Sequence, residues 1–228
     1  MGIVVNDSQN LFMLQTRSNS YAFGIDNQGL VRHLYWGSRI NAMEDFEMPE
    51  LAEVSTNDPV YEITKEEFPV YGGLRYKEHC LKVTFADGTR DVAYEYVNYE
   101  IQKNEQCEEL VIILKDKHYA LVMELHYKIY EAYDLMERFV VLKNESTEVM
   151  QIEKLHSGQF HVPYEGLNFR NVHGHWGAEQ QKFVQKVDYG KSFSKIEEEF
   201  PATITILISF WIRMPQRQPE MCTLAHFV

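Results

Sequence analysis

The sequence predicts an all-β protein, an antiparallel sandwich, and three observations lead there. From residue 81 onward, β-rich runs follow one another about ten residues apart, the spacing of a large sandwich. The runs are 81–85, 92–97, 99–103, 109–115, 120–130, 135–143 and 149–156. Polar turn residues close them: Asp87-Gly88, Asn104-Glu105, Asp116-Lys117, Ala132-Tyr133-Asp134 and Asn144-Glu145-Ser146. Residues 121–130 set Glu124, His126 and Lys128 against Met123, Leu125, Tyr127 and Ile129, so one sheet face is buried and the other wet. No stretch sustains a helical period of 3.6.

The elements before residue 81 fit the same plan. Residues 11–16 and 20–25 read as two short strands, and Asp26-Asn27-Gln28-Gly29 turns the chain into a third, 30–37. Residues 41–61 are irregular and acidic, with Pro49 and Pro59, and read as a long loop of the kind that often carries function. A corner follows, Phe68-Pro69-Val70-Tyr71-Gly72-Gly73: Pro69 removes a backbone donor and the paired glycines permit positive φ. The strand at 81–85 then enters the Asp87-Gly88 turn.

At 228 residues the chain can bury one sizeable core, and one domain with an odd tail is expected. A net charge of −12 spread along the chain opposes phosphate backbones and anionic membrane surfaces, which excludes nucleic acid as a partner. Cys80, Cys107 and Cys222 have no paired-ligand spacing and read as reduced thiols. No basic region followed by an apolar run opens the chain, so a cytoplasmic protein is expected. The apolar run 202–212 is about half the length of a membrane span, and no membrane segment is expected.

Several motifs, in order, resemble the N-terminal domain of glycoside hydrolase family 36 α-galactosidases. They are the Ser20-Tyr21-x-Phe23 strand, the Gly29-x-Val31-x-His33-Leu34-Tyr35-Trp36-Gly37 strand with Arg39, where the family pattern is Gly-x-Leu-x-His-Leu-Tyr-aromatic-Gly, and the 67–91 stretch. The 121–130 strand with Tyr133-Asp134 and Arg138, and Gly174-x-Trp176-x-x-Glu179, continue the series. The resemblance covers residues 11–191. It implies a β-supersandwich of the galactose mutarotase type and a non-catalytic role beside a (β/α)8 barrel that carries two catalytic aspartates. The complete enzyme would remove terminal α-galactosyl residues from melibiose- or raffinose-type oligosaccharides with retention. It implies no cofactor, no metal and a homo-oligomer in which the loop at 41–61 lies near a neighbouring subunit's active site.

Beyond residue 194 the resemblance stops, giving expected segments 1–194 and 195–228. Read from the third base of each codon, residues 200–225 can be back-translated to Ser-Ser-His-His-His-Asn-Pro-Tyr-Ile-Leu-Leu-Asp-Pro-His-Ala-Thr-Glu, the family's continuation. Translation out of frame from about Lys195, ending at an accidental stop after Val228, is therefore expected. The loss of the final sandwich strands would leave an unpaired edge that favours self-association.

No Asp or Glu here lies in a catalytic motif, so this chain is expected to be inactive alone. Candidate residues for a substrate rim or a neighbouring subunit are Glu53 and Asp58 in the long loop, Arg75 and Lys77 beside Tyr76, and Trp176. Trp36 and Trp176 can stack on a sugar, but packing is the favoured reading for both. His156, His161, His173 and His175 can be drawn as a metal cluster, and polar strand residues are the favoured reading. Two other classes remain open: a stand-alone carbohydrate-binding module, which needs a groove of exposed aromatics, and a mutarotase-like epimerase, which needs a His acid and a Glu base converging in a pocket.

Overall fold

The computed structural model describes residues 2–43, 46–48, 65–73, 78–161, 168–175, 177–186, 206–212 and 221–227. The chain divides into two compact units, 1–161 and 162–228. The described secondary structure is all strand except one 3-10 turn, Glu131–Tyr133, and every strand pair is antiparallel. The all-β expectation holds. No helix among the described residues is long and apolar enough to cross a membrane.

The first unit opens with a four-stranded meander: β1 (Ile3–Asn6), β2 (Leu11–Gln15), β3 (Asn19–Ile25) and β4 (Val31–Ser38). β1 was not foreseen, because four residues carry too little alternation to register. The Asp26–Gly29 turn forms as expected: Asp26 Oδ1 accepts from the N–H groups of Gln28 and Leu30, and Gly29 takes φ +79°. A second meander follows in strand order: β6 (Tyr94–Lys103), β7 (Glu108–Asp116), β8 (Leu121–Tyr130) and β9 (Leu135–Asn144). The runs 92–97 and 99–103 are one strand, β6, with a register shift between Tyr96 and Asn98. A bulge interrupts side-chain alternation without ending the ladder, which is why the sequence reads as two pieces.

Between the meanders lies β5 (Leu81–Thr84), which pairs with β10 (Gln151–Leu155) and not with β6. The Asp87-Gly88 turn, with Gly88 at φ +85°, thus passes the chain from one sheet to another and closes no hairpin. Turn chemistry fixes the local reversal, but which strands pair afterwards depends on distant residues.

The inner faces of the meanders meet in one core. Phe12, Tyr21 and Phe23 of the first pack with Leu110, Ile112, Leu125 and Tyr127 of the second. The Phe23 and Tyr127 rings stack at 4.9 Å. β8 shows the expected alternation: Met123, Leu125 and Tyr127 are fully buried, while Glu124, His126 and Lys128 lie on the wetter face. β2 is buried on both faces, since Leu11 and Met13 pack with Ala22 and Met43 in a second cluster.

In the second unit, β11 (Asn168–His175) and β12 (Ala178–Lys186) form a hairpin through Gly177 at φ +82°. β13 (Ile206–Ile212) and β14 (Met221–Phe227) join it in the order β12-β11-β13-β14. The apolar run 202–212 thus contributes a strand, as its β-branched residues favour. The boundary expected at 194/195 falls outside the described residues.

Candidate functional site: a buried carboxylate clasp

Residues 65–73, where the chain leaves the long acidic segment, carry two carboxylates into a polar constellation of the first unit. Their backbone pairs with the β4 side of the first meander. His33 N donates to Lys65 O at 2.7 Å and Glu67 N to Val31 O at 2.9 Å. That path carries two adjacent carboxylates into the core, Glu66 at 4% exposure and Glu67 at 0%.

Glu67 is held from both meanders. Tyr21 Oη donates to its Oε1 at 2.6 Å, and His33 Nδ1 faces the same oxygen at 2.9 Å. Oε2 accepts from Arg138 Nη1 at 2.7 Å and from Tyr127 Oη at 3.2 Å. Arg138 Nη2 also reaches the Glu67 carbonyl at 2.8 Å. The guanidinium lies over the Tyr127 and Phe160 rings, 5.0 and 5.7 Å from their centroids. Glu66 accepts from Tyr94 Oη at 2.9 Å and lies 3.9 Å from Arg32, which binds Asp26 at 2.7 Å. The Glu66 carbonyl meets His161 Nε2 at 3.0 Å.

Burial alone would raise the pKa of Glu67. The Arg138 charge and the hydrogen bonds from His33 and Tyr21 outweigh it and hold the carboxyl at about 2. An ionised carboxylate only accepts, so His33 presents an Nδ1 proton to it. Burial and the neighbouring carboxylate push the Tyr21 and Tyr127 phenols well above their usual range. Glu67 is therefore ionised, and the Tyr21 and Tyr127 phenols are neutral, across neutral pH. Because the folded pKa lies below the unfolded value of 4.5, the stability it supplies is complete above that value and is lost as pH falls toward 2. Denaturant midpoints at pH 7, 4 and 2.5 should fall for the native chain, and the fall should shrink in Glu67→Gln.

The chemistry of this constellation is structural. Glu67 and His33 satisfy the epimerase requirement for a converging His and Glu, yet their side chains are 0% and 3% exposed. Both Glu67 oxygens are committed to other protein groups, so no lone pair is offered to a sugar.

The rim candidates flank the clasp in sequence, Glu53 and Asp58 before it and Arg75 and Lys77 after it. All four, and Trp176, lie outside the described residues. What is described is the root of the second pair. Gly72 and Gly73 take φ +132° and +60°, and Gly73 N donates to Asp91 Oδ1 at 2.7 Å. A Cβ on Gly72 would stand 1.8 Å from that oxygen, so the paired glycines are required by the turn, as expected. Before the turn, half-exposed Tyr71 lies near Lys82 Nζ and the Arg90 guanidinium, 5.1 and 5.6 Å from its centroid. Both cations are engaged by Glu153.

Trp36 packs against Tyr21 and Phe160, with centroids 6.1 and 5.6 Å away, which bears out the packing reading. Among the described residues no three His, Cys, Asp or Glu side chains are placed to hold a metal. His161 serves the clasp, and β11 carries His173 and His175. Cys80 and Cys107 are free and buried, and burial lifts the Cys80 thiol to about 12. An open cleft of about 800 Å³ is lined by Gln9, Leu11, Asp26, Asn27, Phe46 and Met48 among others, with Phe46 the one aromatic ring among its described lining residues.

Sequence reasoning noted Arg138 as a motif position and missed its role. The signal was present: in β9 it alternates with Met136, Val140 and Leu142 on the core-facing side, and an inward arginine demands a buried carboxylate.

The model for the glycosyl hydrolase family 36 N-terminal domain matches residues 29–197, most of the chain. The chain belongs to that family. A probable α-galactosidase G of Aspergillus terreus is 25% identical over 194 residues, covering 78% of this chain and 26% of that protein. α-Galactosidase AgaA of Geobacillus stearothermophilus is 21% identical over 203 residues, covering 79% and 28%. Among solved structures, the α-galactosidase of Lactobacillus brevis superposes with a TM-score of 0.71 at 22% identity, covering 81% of this chain and 28% of that one. The family 36 α-galactosidase AgaB of Geobacillus stearothermophilus gives 0.72 at 20%, covering 83% and 29%. The family 36 domain thus shares its fold with these enzymes and spans about a quarter of the length of the curated relatives.

Proposed function

We propose that this chain is the non-catalytic N-terminal sandwich of a family 36 α-galactosidase. In the complete enzyme it packs on a (β/α)8 barrel, shapes the rim of the sugar site and contributes to subunit interfaces. The barrel, outside these 228 residues, supplies two aspartates that hydrolyse terminal α-galactosides by double displacement. The observation that carries this reading is the family match over 29–197, which is specific to the N-terminal domain. The closed state of the Glu67 clasp supports it too, because a sealed carboxylate is scaffold and not an acid or base. Two buried free thiols accord with a reducing, cytoplasmic setting.

Residues 195–228 belong, on this reading, to a shifted frame. The end of the match at residue 197 supports that, and strands in an apolar, β-branched tail are expected in any frame.

Sequencing the gene past the Val228 codon tests the assignment. The shifted frame should encode Ser-Ser-His-His-His-Asn-Pro and run on into a barrel. The protein made by joining the frames should release galactose from melibiose, and the present chain should not. A shifted frame without that peptide would overturn the frame assignment, and hydrolysis by the chain alone would overturn the non-catalytic role.

A further inference from the structure

We propose that the outer edge of β6 is a docking edge for a second copy of this chain, pairing β6 to β6 antiparallel about a two-fold axis at Ile101. The pairing rests on sheet geometry and stands or falls independently of the galactosidase assignment.

β6 is a ten-residue strand at the end of its sheet, with β7 its only ladder partner among the described residues. Its first part is covered, since Tyr96 N donates to Gly29 O in the β3–β4 turn. Beyond the bulge at Tyr96/Asn98 no such cap is described. There the strand exposes Val97 at 53% and Ile101 at 45%, large apolar side chains at an edge. Edge strands are usually blunted by brevity, proline or charge. Residues 97–103 contain no proline, and one of their two charges, Lys103, is tied to Glu108 on β7.

The other sheet edges of the first unit are less suited. β1 and β10 have four and five residues, β10 is bulged, and its Glu153 and Lys154 are held by neighbours. β4 and β5 are bridged by Glu66 and Val70. β9 is as long as β6 but closes with Lys143 and Asn144 and has no strongly exposed large apolar residue.

Charge selects both occupant and register. Ile101 stands opposite fully buried Leu110 and so continues the core face, whereas Glu100 stands opposite Val111 on the other face. A two-fold at Ile101 sets Ile101 against itself, Glu100 against the partner's Gln102 and Tyr99 against the partner's Lys103. No like charges meet, and an apolar pair sits on the axis. Moving the axis to Glu100 puts two carboxylates face to face. Moving it to Tyr99 runs the ladder into the bulge. The second copy adds its strand to make one continuous eight-stranded sheet.

Sedimentation across a concentration series at 0.15 M salt, roughly physiological ionic strength, tests this on the present chain. The native chain should move from monomer mass toward twice that mass as concentration rises. Gln102→Lys, which faces Glu100 of the second copy, should shift the midpoint severalfold to lower concentration, and Gln102→Glu should shift it to higher. Gln102 is exposed, so neither variant threatens the fold. Under oxidation, Ile101→Cys should form disulfide-linked dimer, and Val141→Cys on β9 should not. A chain that stays monomeric throughout, opposite charges at residue 102 with the same midpoint, or no crosslink at 101 would each overturn the proposal.

Discussion

Replacing Arg138 with Met will destabilise the first unit by about 3–5 kcal/mol, the cost of removing one partner of a buried ion pair. Arg138 makes two bonds to Glu67, at 2.7 and 2.8 Å, and without them a carboxylate with no exposed surface keeps only His33, Tyr21 and Tyr127. The carboxyl must then take up a proton or pull the segment toward solvent, and either shift is paid from folding stability. Urea unfolding followed by tryptophan fluorescence measures the loss. The Glu67→Gln/Arg138→Met pair should cost less than the sum of the singles, because it removes both charges together. Additive losses would show that the two residues act separately.

Gly158→Ala should cost about 1–3 kcal/mol, the range for overpacking a filled site. A Cβ there would stand 2.5, 2.6 and 2.7 Å from Cζ, Nε and Nη1 of Arg138. A long side chain usually swings away from such a contact, but this guanidinium is pinned by Glu67 and lies over two rings. The same substitution in an Arg138→Met background should therefore lose most of its effect, since the thioether side chain can repack. Urea midpoints of the four variants give the coupling directly. An unchanged cost in the Met background would place the strain elsewhere.

Strand existence was legible along most of the first unit because its causes are local. The alternation of 121–130 becomes β8, and Asp26–Gly29 and Gly72-Gly73 become turns through side-chain acceptors and positive φ. Family membership was legible for a related reason: Tyr21, His33, Arg138 and their neighbours form ordered motifs, and several of those motif residues are clasp partners. Conversely, the joining of 92–97 to 99–103 was hidden, because a bulge looks like a strand break to any reading based on period.

By itself, then, the sequence determined the all-β class and the turns, each set by residues within a few positions of one another. Tertiary structure alone decided that β5 pairs with β10, 67 residues beyond it at Thr84↔Gln151, and that Glu67 meets Arg138 across 71 residues. Backbone period and turn chemistry act over one or two elements. A buried charge finds its counter-charge through whatever the packed sheets bring near it, and one chain's residue order does not record that distance.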